Sequence, residues 1–146
     1  MIKSLTTIGL ALSLTLLATF AGIARADEPA VKAVYHVNEG IPQATRAIRN
    51  INNHLNADPT AKIVVVTHGP GIDFLLDGAD DGKGNKFSGA IGALANKGVE
   101  FRVCNNTLVG RKIPKEQVVL EAKIVPSGVA ELARLQAREQ FAYVRP

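Results

Sequence analysis

Four apolar β-branched residues in a row, Ile63-Val64-Val65-Val66, stand between Lys62 and Thr67. Side chains alternate between the two faces of a strand, so a run with no polar position must be covered on both sides. Inner strands of parallel α/β sheets are covered in that way. The run places Lys62 to Thr67 near the middle of a sheet and demands helices above and below it.

The flanking segments supply them. Val31, Ala33, Tyr35 and Val37 alternate along a first strand, which Asn38, Glu39, Gly40 and Pro42 interrupt. Ala44, Ile48, Ile51 and Leu55 then recur at helical spacing until Asp58-Pro59. After the central strand, His68-Gly69-Pro70-Gly71 reads as a tight turn and Asp77 to Lys86 as an exposed Gly/Asp/Lys loop. Phe87, Ala90, Ile91 and Leu94 return to helical spacing, with Gly98 where a C-terminal glycine would close the helix. Val99, Phe101 and Val103 alternate with Glu100 and Arg102 in a third strand that ends at Cys104, and a short helix follows through Thr107 to Arg111. Pro114 to Gln117 suits another short helix, and Ala122 to Val125 a fourth strand. Ser127 is a candidate N-cap for a helix that carries Val129, Leu132, Ala133 and Gln136 along one side, and Phe141 to Val144 reads as a last strand. Strands and helices in alternation predict a single-domain α/β fold, a three-layer sandwich with a mostly parallel sheet of about five strands.

The first residues stand apart from this pattern. Lys3, an apolar run from Leu5 to Phe20 and Ala24-Arg25-Ala26 have the form of a secretory signal peptide over 1–26, cleaved before Asp27, with one domain over 27–146. The expected location is therefore periplasmic or secreted, with no stable membrane insertion after cleavage. Without Lys3 and Arg25, the 17 basic residues fall to 15 against 13 acidic ones, a net of +2. With that balance, no basic block and no Trp, nucleic-acid binding has no support.

Cys104 is the only cysteine, so no internal disulfide forms. In an exported chain such a residue is inert in the core, paired with another chain, or reactive. If the strands are parallel, their C-terminal ends bring Asn38, His68, Cys104 and Ser127 to one edge, where open α/β sheets bind ligands. Cys104 at a strand end, followed by Asn105, Asn106 and Thr107, can have its thiolate stabilised by helix-opening amides. Arg102 and Arg111 are the nearby positive charges in sequence. His68 fits a general base, a proton shuttle or a hydrogen-bond donor to an anion, or else it satisfies backbone groups in its turn; Gly69 lies beside it. His36 and His54 are poorer candidates. Three scattered histidines and one cysteine show no metal-ligand spacing, and Asp77 to Lys86 lacks the oxygen ligands of a calcium loop. The expectation is no metal and no cofactor.

VEFRVCNNTLVGR around Cys104, IVPSGVAELARLQ from Ile124 to Gln136 and VVVTHGPGI from Val64 to Ile72 together resemble the DsrE/DsrF-like family of sulfur-relay proteins, over about Val31 to Pro146. The resemblance implies a compact α/β domain and a homo-oligomer, a trimer or hexamer, with grooves between subunits. It also implies that Cys104 accepts sulfur as a persulfide from a donor protein and passes it to an acceptor. Cys104 and His68 would then act on sulfur, with Asn38, Gly69, Asn105, Asn106, Thr107 and Ser127 lining the site. Members of the family generally work in the cytoplasm, so the leader implies that donor and acceptor are exported too. The alternative is a non-catalytic oligomeric module that binds a small molecule or a partner, with a structural or redox-sensing Cys104.

Overall fold

The computed structural model describes residues 29–146; the signal peptide expected over 1–26, with its cleavage before Asp27, lies outside the described residues. In chain order the elements are β1 (Lys32–Val37), α1 (Ile41–Ala57), β2 (Lys62–Thr67), α2 (Phe87–Asn96), β3 (Glu100–Cys104), α3 (Asn105–Arg111), β4 (Ala122–Val125), α4 (Gly128–Glu139) and β5 (Ala142–Val144). Short 3₁₀ helices at Gly69–Leu75 and Lys115–Gln117 join β2 to α2 and α3 to β4. The sheet order is β4-β3-β2-β1-β5, and every neighbouring pair is parallel. The β-branched run is thus the middle strand, with Val64, Val65 and Val66 no more than 3 % exposed.

One face of the sheet presents Tyr35, Val37, Ile63, Val65, Phe101 and Val103 to Ala44, Ala47 and Ile51 of α1, to Ile91 and Leu94 of α2, and to Phe74 in the 3₁₀ helix. The other face buries Val34, Val64 and Val66 beneath Leu132, Leu135 and Phe141. At about 1.5–3 kcal/mol for each fully buried aliphatic or aromatic side chain, both faces contribute substantially to stability. The last helix meets the sheet through Leu132 and Leu135, whereas Val129 is 60 % exposed and Ala133 and Gln136 are exposed. The stripe read from the sequence is therefore rotated. Gly128 must enter the sheet edge, and that fixes the helix phase so that Leu132 and Leu135, four and seven residues later, face the sheet.

Two local features hold the strand ends. Gln43 is fully buried, and its Oε1 accepts from the N–H groups of Asn38 and Glu39 at 2.7 Å each while its Nε2 donates to the His36 carbonyl at 3.2 Å. It ties the β1–α1 turn together where Gly40 has no side chain to cap the helix. Gly71 sits against β1 so closely that a Cβ there would lie 2.0 Å from the Val37 carbonyl oxygen, which only glycine avoids.

After β4, α4 crosses the second face and returns the chain to the far edge, where Tyr143 of β5 pairs with Val34 of β1. Because side chains alternate, Tyr143, Val34, His36, Val66, His68, Arg102 and Cys104 all project to the α4 side of the sheet. In the Asp77 to Lys86 loop, Asp80 and Asp81 spend their carboxylates on the loop's own N–H groups: Asp80 accepts from Gly82 at 2.9 Å, and Asp81 from Lys83 at 2.9 Å and Asn85 at 3.1 Å. No helix among the described residues is long and apolar enough to cross a membrane.

Candidate functional site

Cys104 is the last residue of β3, level with Val125 of β4, and Asn105 opens α3 immediately after it. The residue is 5 % exposed. Above it sits the first residue of α4. A Cβ on Gly128 would lie 3.1 Å from His68 Cβ, 3.1 Å from the Thr67 carbonyl oxygen and 3.3 Å from Cys104 Cβ. The bare glycine therefore lets the helix start enter the gap between β2 and β3 and aim its N–H at the sulfur. Ser127 fixes that entry as the N-cap, its Oγ accepting from the Ala130 N–H at 3.4 Å.

Burial pushes the Cys104 thiol pKa up, yet the N–H of Gly128, the hydroxyl and N–H of Thr107 and the N–H of Asn106 outweigh it. The net result is a pKa below that of an ordinary cysteine. These groups act as oriented dipoles round the sulfur. The Asn106 N–H is shared with the Pro126 carbonyl at 3.3 Å. The Thr107 hydroxyl oxygen accepts from the Gly69 N–H at 3.0 Å, which leaves its own proton free for the sulfur. Gly69 thus acts on the thiol through Thr107.

The remaining residues of the expected site divide. Asn38 stands at the same sheet edge, its Oδ1 buried without a hydrogen-bond partner. Asn105 Oδ1 is likewise unpartnered, and Asn105 lines a groove of about 280 Å³ on the β4 side with Lys115, Ile124, Val125 and Pro126. Neither nearby arginine serves the thiol. Arg102 is held by Glu131 and by Glu100 at 2.9 Å, while Arg111 reaches Asp73 at 2.6 Å and the Gly69 carbonyl at 3.3 Å.

The backbone of His68 donates to Val37 at 3.3 Å and accepts from Gly71 at 3.0 Å, so the turn is satisfied without the side chain. The ring faces β1 instead: His68 Nε2 lies 2.7 Å from His36 Nε2, and His36 Nδ1 lies 2.7 Å from the Tyr143 hydroxyl. Burial lowers both imidazole pKa values. His36 is lowered further by His68 and Arg145, against a smaller opposing pull from Glu39. His68 is therefore neutral at neutral pH and is not among the groups that lower the thiol pKa. Sequence reasoning places His36 among the poorer candidates and does not reach Tyr143, although alternation along parallel strands carries one signal for His36. In register with Val66, it lies on the same face as His68, two residues along the adjoining parallel strand. Among the described residues no group of three or more His, Cys, Asp or Glu is placed to hold a metal ion.

The sequence model of the DsrE/DsrF-like family matches residues 13–145. Among solved structures, MTH1491 from Methanobacterium thermoautotrophicum, described as a protein of unknown function, is similar at 26 % identity. It has a TM-score of 0.70, with 80 % of this chain and 99 % of that chain covered. The ychN protein from E. coli has the same fold at 16 % identity and a TM-score of 0.66, with the same coverage. No curated protein matches the chain.

Proposed function

The chain belongs to the DsrE/DsrF-like family, and from that premise we propose that it is an exported sulfur carrier that holds sulfur as a persulfide on Cys104. The observation that carries this reading is a buried cysteine whose thiol pKa is nevertheless lowered by Gly128, Thr107 and Asn106. A structural cysteine in an apolar site would be pushed the other way. Dipoles that favour the thiolate serve both halves of a relay. The Cys104 thiolate attacks the outer sulfur of a donor persulfide, the donor's S–S bond breaks, and the donor leaves as its thiolate. An acceptor thiolate then attacks the outer sulfur on Cys104, which departs as a stabilised thiolate.

The leader over 1–26 supports a periplasmic or secreted location, with exported donor and acceptor proteins. The family resemblance supports a homo-oligomer, a trimer or hexamer, and the exposed apolar side chains of Val109, Leu120 and Val129 suit such contacts. The 5 % exposure of Cys104 favours a second reading, a partner-binding module with a structural or redox-sensing cysteine. Intact mass separates the two. Reduced protein treated with glutathione persulfide gains one sulfur atom that reduction removes and that Cys104→Ser does not gain. No gain on a thiol that remains alkylatable refutes the carrier and leaves the binding module.

A further inference from the structure

On the same face as Cys104, three ionisable side chains from three strands form a continuous hydrogen-bonded row: His68 just past β2, His36 on β1 and Tyr143 on β5. At 2.7 Å, two imidazole Nε2 atoms cannot both be bare, since their lone pairs would repel. Nor can both carry hydrogen, since the two N–H groups would collide. One proton therefore occupies that bond, and one occupies the 2.7 Å bond between His36 Nδ1 and the Tyr143 oxygen. With neutral rings this permits two arrangements. In one, His68 donates to His36 and His36 to Tyr143; in the other, Tyr143 donates to His36 and His36 to His68. Both satisfy every bond in the row, and the first becomes the second when His68 Nδ1 takes up a proton, each proton within the row moves one place and the phenol releases one to solvent.

The two ends of the row lie in different environments. His68 Cβ and Cys104 Cβ are both within 3.3 Å of the point where a Gly128 side chain would begin, so the two residues are neighbours across Gly128 at the inner end of the row. Tyr143 is 45 % exposed, so the outer end meets water. The charged groups facing the row are Arg145 beyond β5 and Glu39 in the β1–α1 turn, which pair with each other. Each offsets the other's field.

We propose that His68, His36 and Tyr143 form a proton relay that connects the Cys104 sulfur to solvent. This rests on the sulfur-carrier reading, in which a Cys104 that begins as a thiol must lose a proton before attack. Because the His68 ring faces β1, that proton reaches His68 Nδ1 across bridging water; the His68 Nε2 proton moves to His36, the His36 Nδ1 proton to the Tyr143 oxygen, and the phenol's own proton to water. The thiolate attacks R–S–SH, giving Cys104–S–SH and RS⁻. The relay, now in its opposite arrangement, runs backwards and returns one proton to make RSH. The transferred sulfur keeps its oxidation state, so no oxidant or reductant is needed. His68 is the group that handles the reacting proton, and His36 and Tyr143 act through it.

The test is single-turnover loading of Cys104 with glutathione persulfide across pH, for wild type, Tyr143→Phe and His36→Gln. Tyr143→Phe keeps the ring on β5 and removes only the hydroxyl. Both variants should load about tenfold or more slowly where Cys104 is a thiol, within the range of about 10²–10⁴ that general acid–base assistance supplies. They should converge on the wild-type rate at high pH, where the thiolate is already formed. Wild-type rates throughout, or a deficit equal at every pH, overturn the relay. If wild-type protein takes up no sulfur, the carrier reading fails, and nitrogen-15 NMR judges the row by itself. A single proton correlated with Nε2 of both His36 and His68 supports it, whereas two rings each holding a fixed, independent tautomer refute it.

Discussion

Gly128→Ala inserts one methyl group at the point where the fold and the thiol meet. Its backbone is in ordinary helical territory, so space alone decides the outcome. The new carbon would sit 3.1 Å from a carbonyl oxygen and 3.1 and 3.3 Å from two β-carbons, none of them the free end of a flexible chain. Overpacking of this kind costs about 1–3 kcal/mol. Alanine's better helix propensity offsets at most about 1 kcal/mol. The net loss is about 1–2 kcal/mol, a fall in melting temperature on the order of 5 °C for a domain of this size. To relieve the contact, the start of α4 must withdraw, and the Gly128 N–H withdraws with it, so the Cys104 pKa rises. Thermal melts and the pH profile of iodoacetamide alkylation read both effects. Gly89→Ala in α2 is the internal contrast: nothing lies within 4 Å of its Cβ position, and it should gain up to about 1 kcal/mol. A Gly128→Ala protein that melts as high as wild type, with an unmoved alkylation profile, would refute the argument.

Thr107→Val removes the hydroxyl that faces the sulfur and strands the Gly69 N–H. It should raise the thiol pKa and lower stability by about 1–2 kcal/mol in urea melts, whereas Thr107→Ser should retain both properties; equal behaviour of the two variants would contradict this. Glu131, clasped by Arg134 and Arg102 on α4 and β3, has its pKa held down at about 2. A depressed carboxylate contributes stability that is present above its unfolded pKa near 4.5 and lost as pH falls towards 2. The full shift corresponds to about 3 kcal/mol, and exposure of Arg134 to solvent reduces it to about 1–2 kcal/mol. Glu131→Gln should therefore flatten the acid limb of a stability–pH curve between about pH 4.5 and 2. An unchanged slope would show that the cluster contributes nothing in solution.

The fold was legible because its decisive signals are local. The run Ile63 to Val66 announces a doubly covered strand, and the bounds of β2 follow from Lys62 and Thr67 at its ends. Pro42 misled the start of α1. A proline costs nothing in the first turn, so the helix opens at Ile41, three residues before its first fully buried apolar position, Ala44. The face of α4 was not legible, because its phase is set by the fit of Gly128 against Thr67 and Cys104. That contact spans a long stretch of sequence and leaves no periodic trace.

The site divides in the same way. Cys104 at a strand end and the amides after it follow from local sequence, whereas the dipole delivered by Gly128 depends on α4 crossing the sheet. The charges that sequence proximity suggested, Arg102 and Arg111, are committed elsewhere to Glu131, Glu100 and Asp73. Neutral dipoles and a hydroxyl therefore set the thiol's character, with no cation among them. This has a consequence for salt. Dipoles fixed by the backbone beside a buried sulfur are barely screened, whereas an arginine–thiolate pair at the surface would weaken as ionic strength rises. The alkylation profile of Cys104 should accordingly stay in place between low and high salt. A profile that moves to higher pH as salt is added would return the thiolate's stabilisation to the arginines.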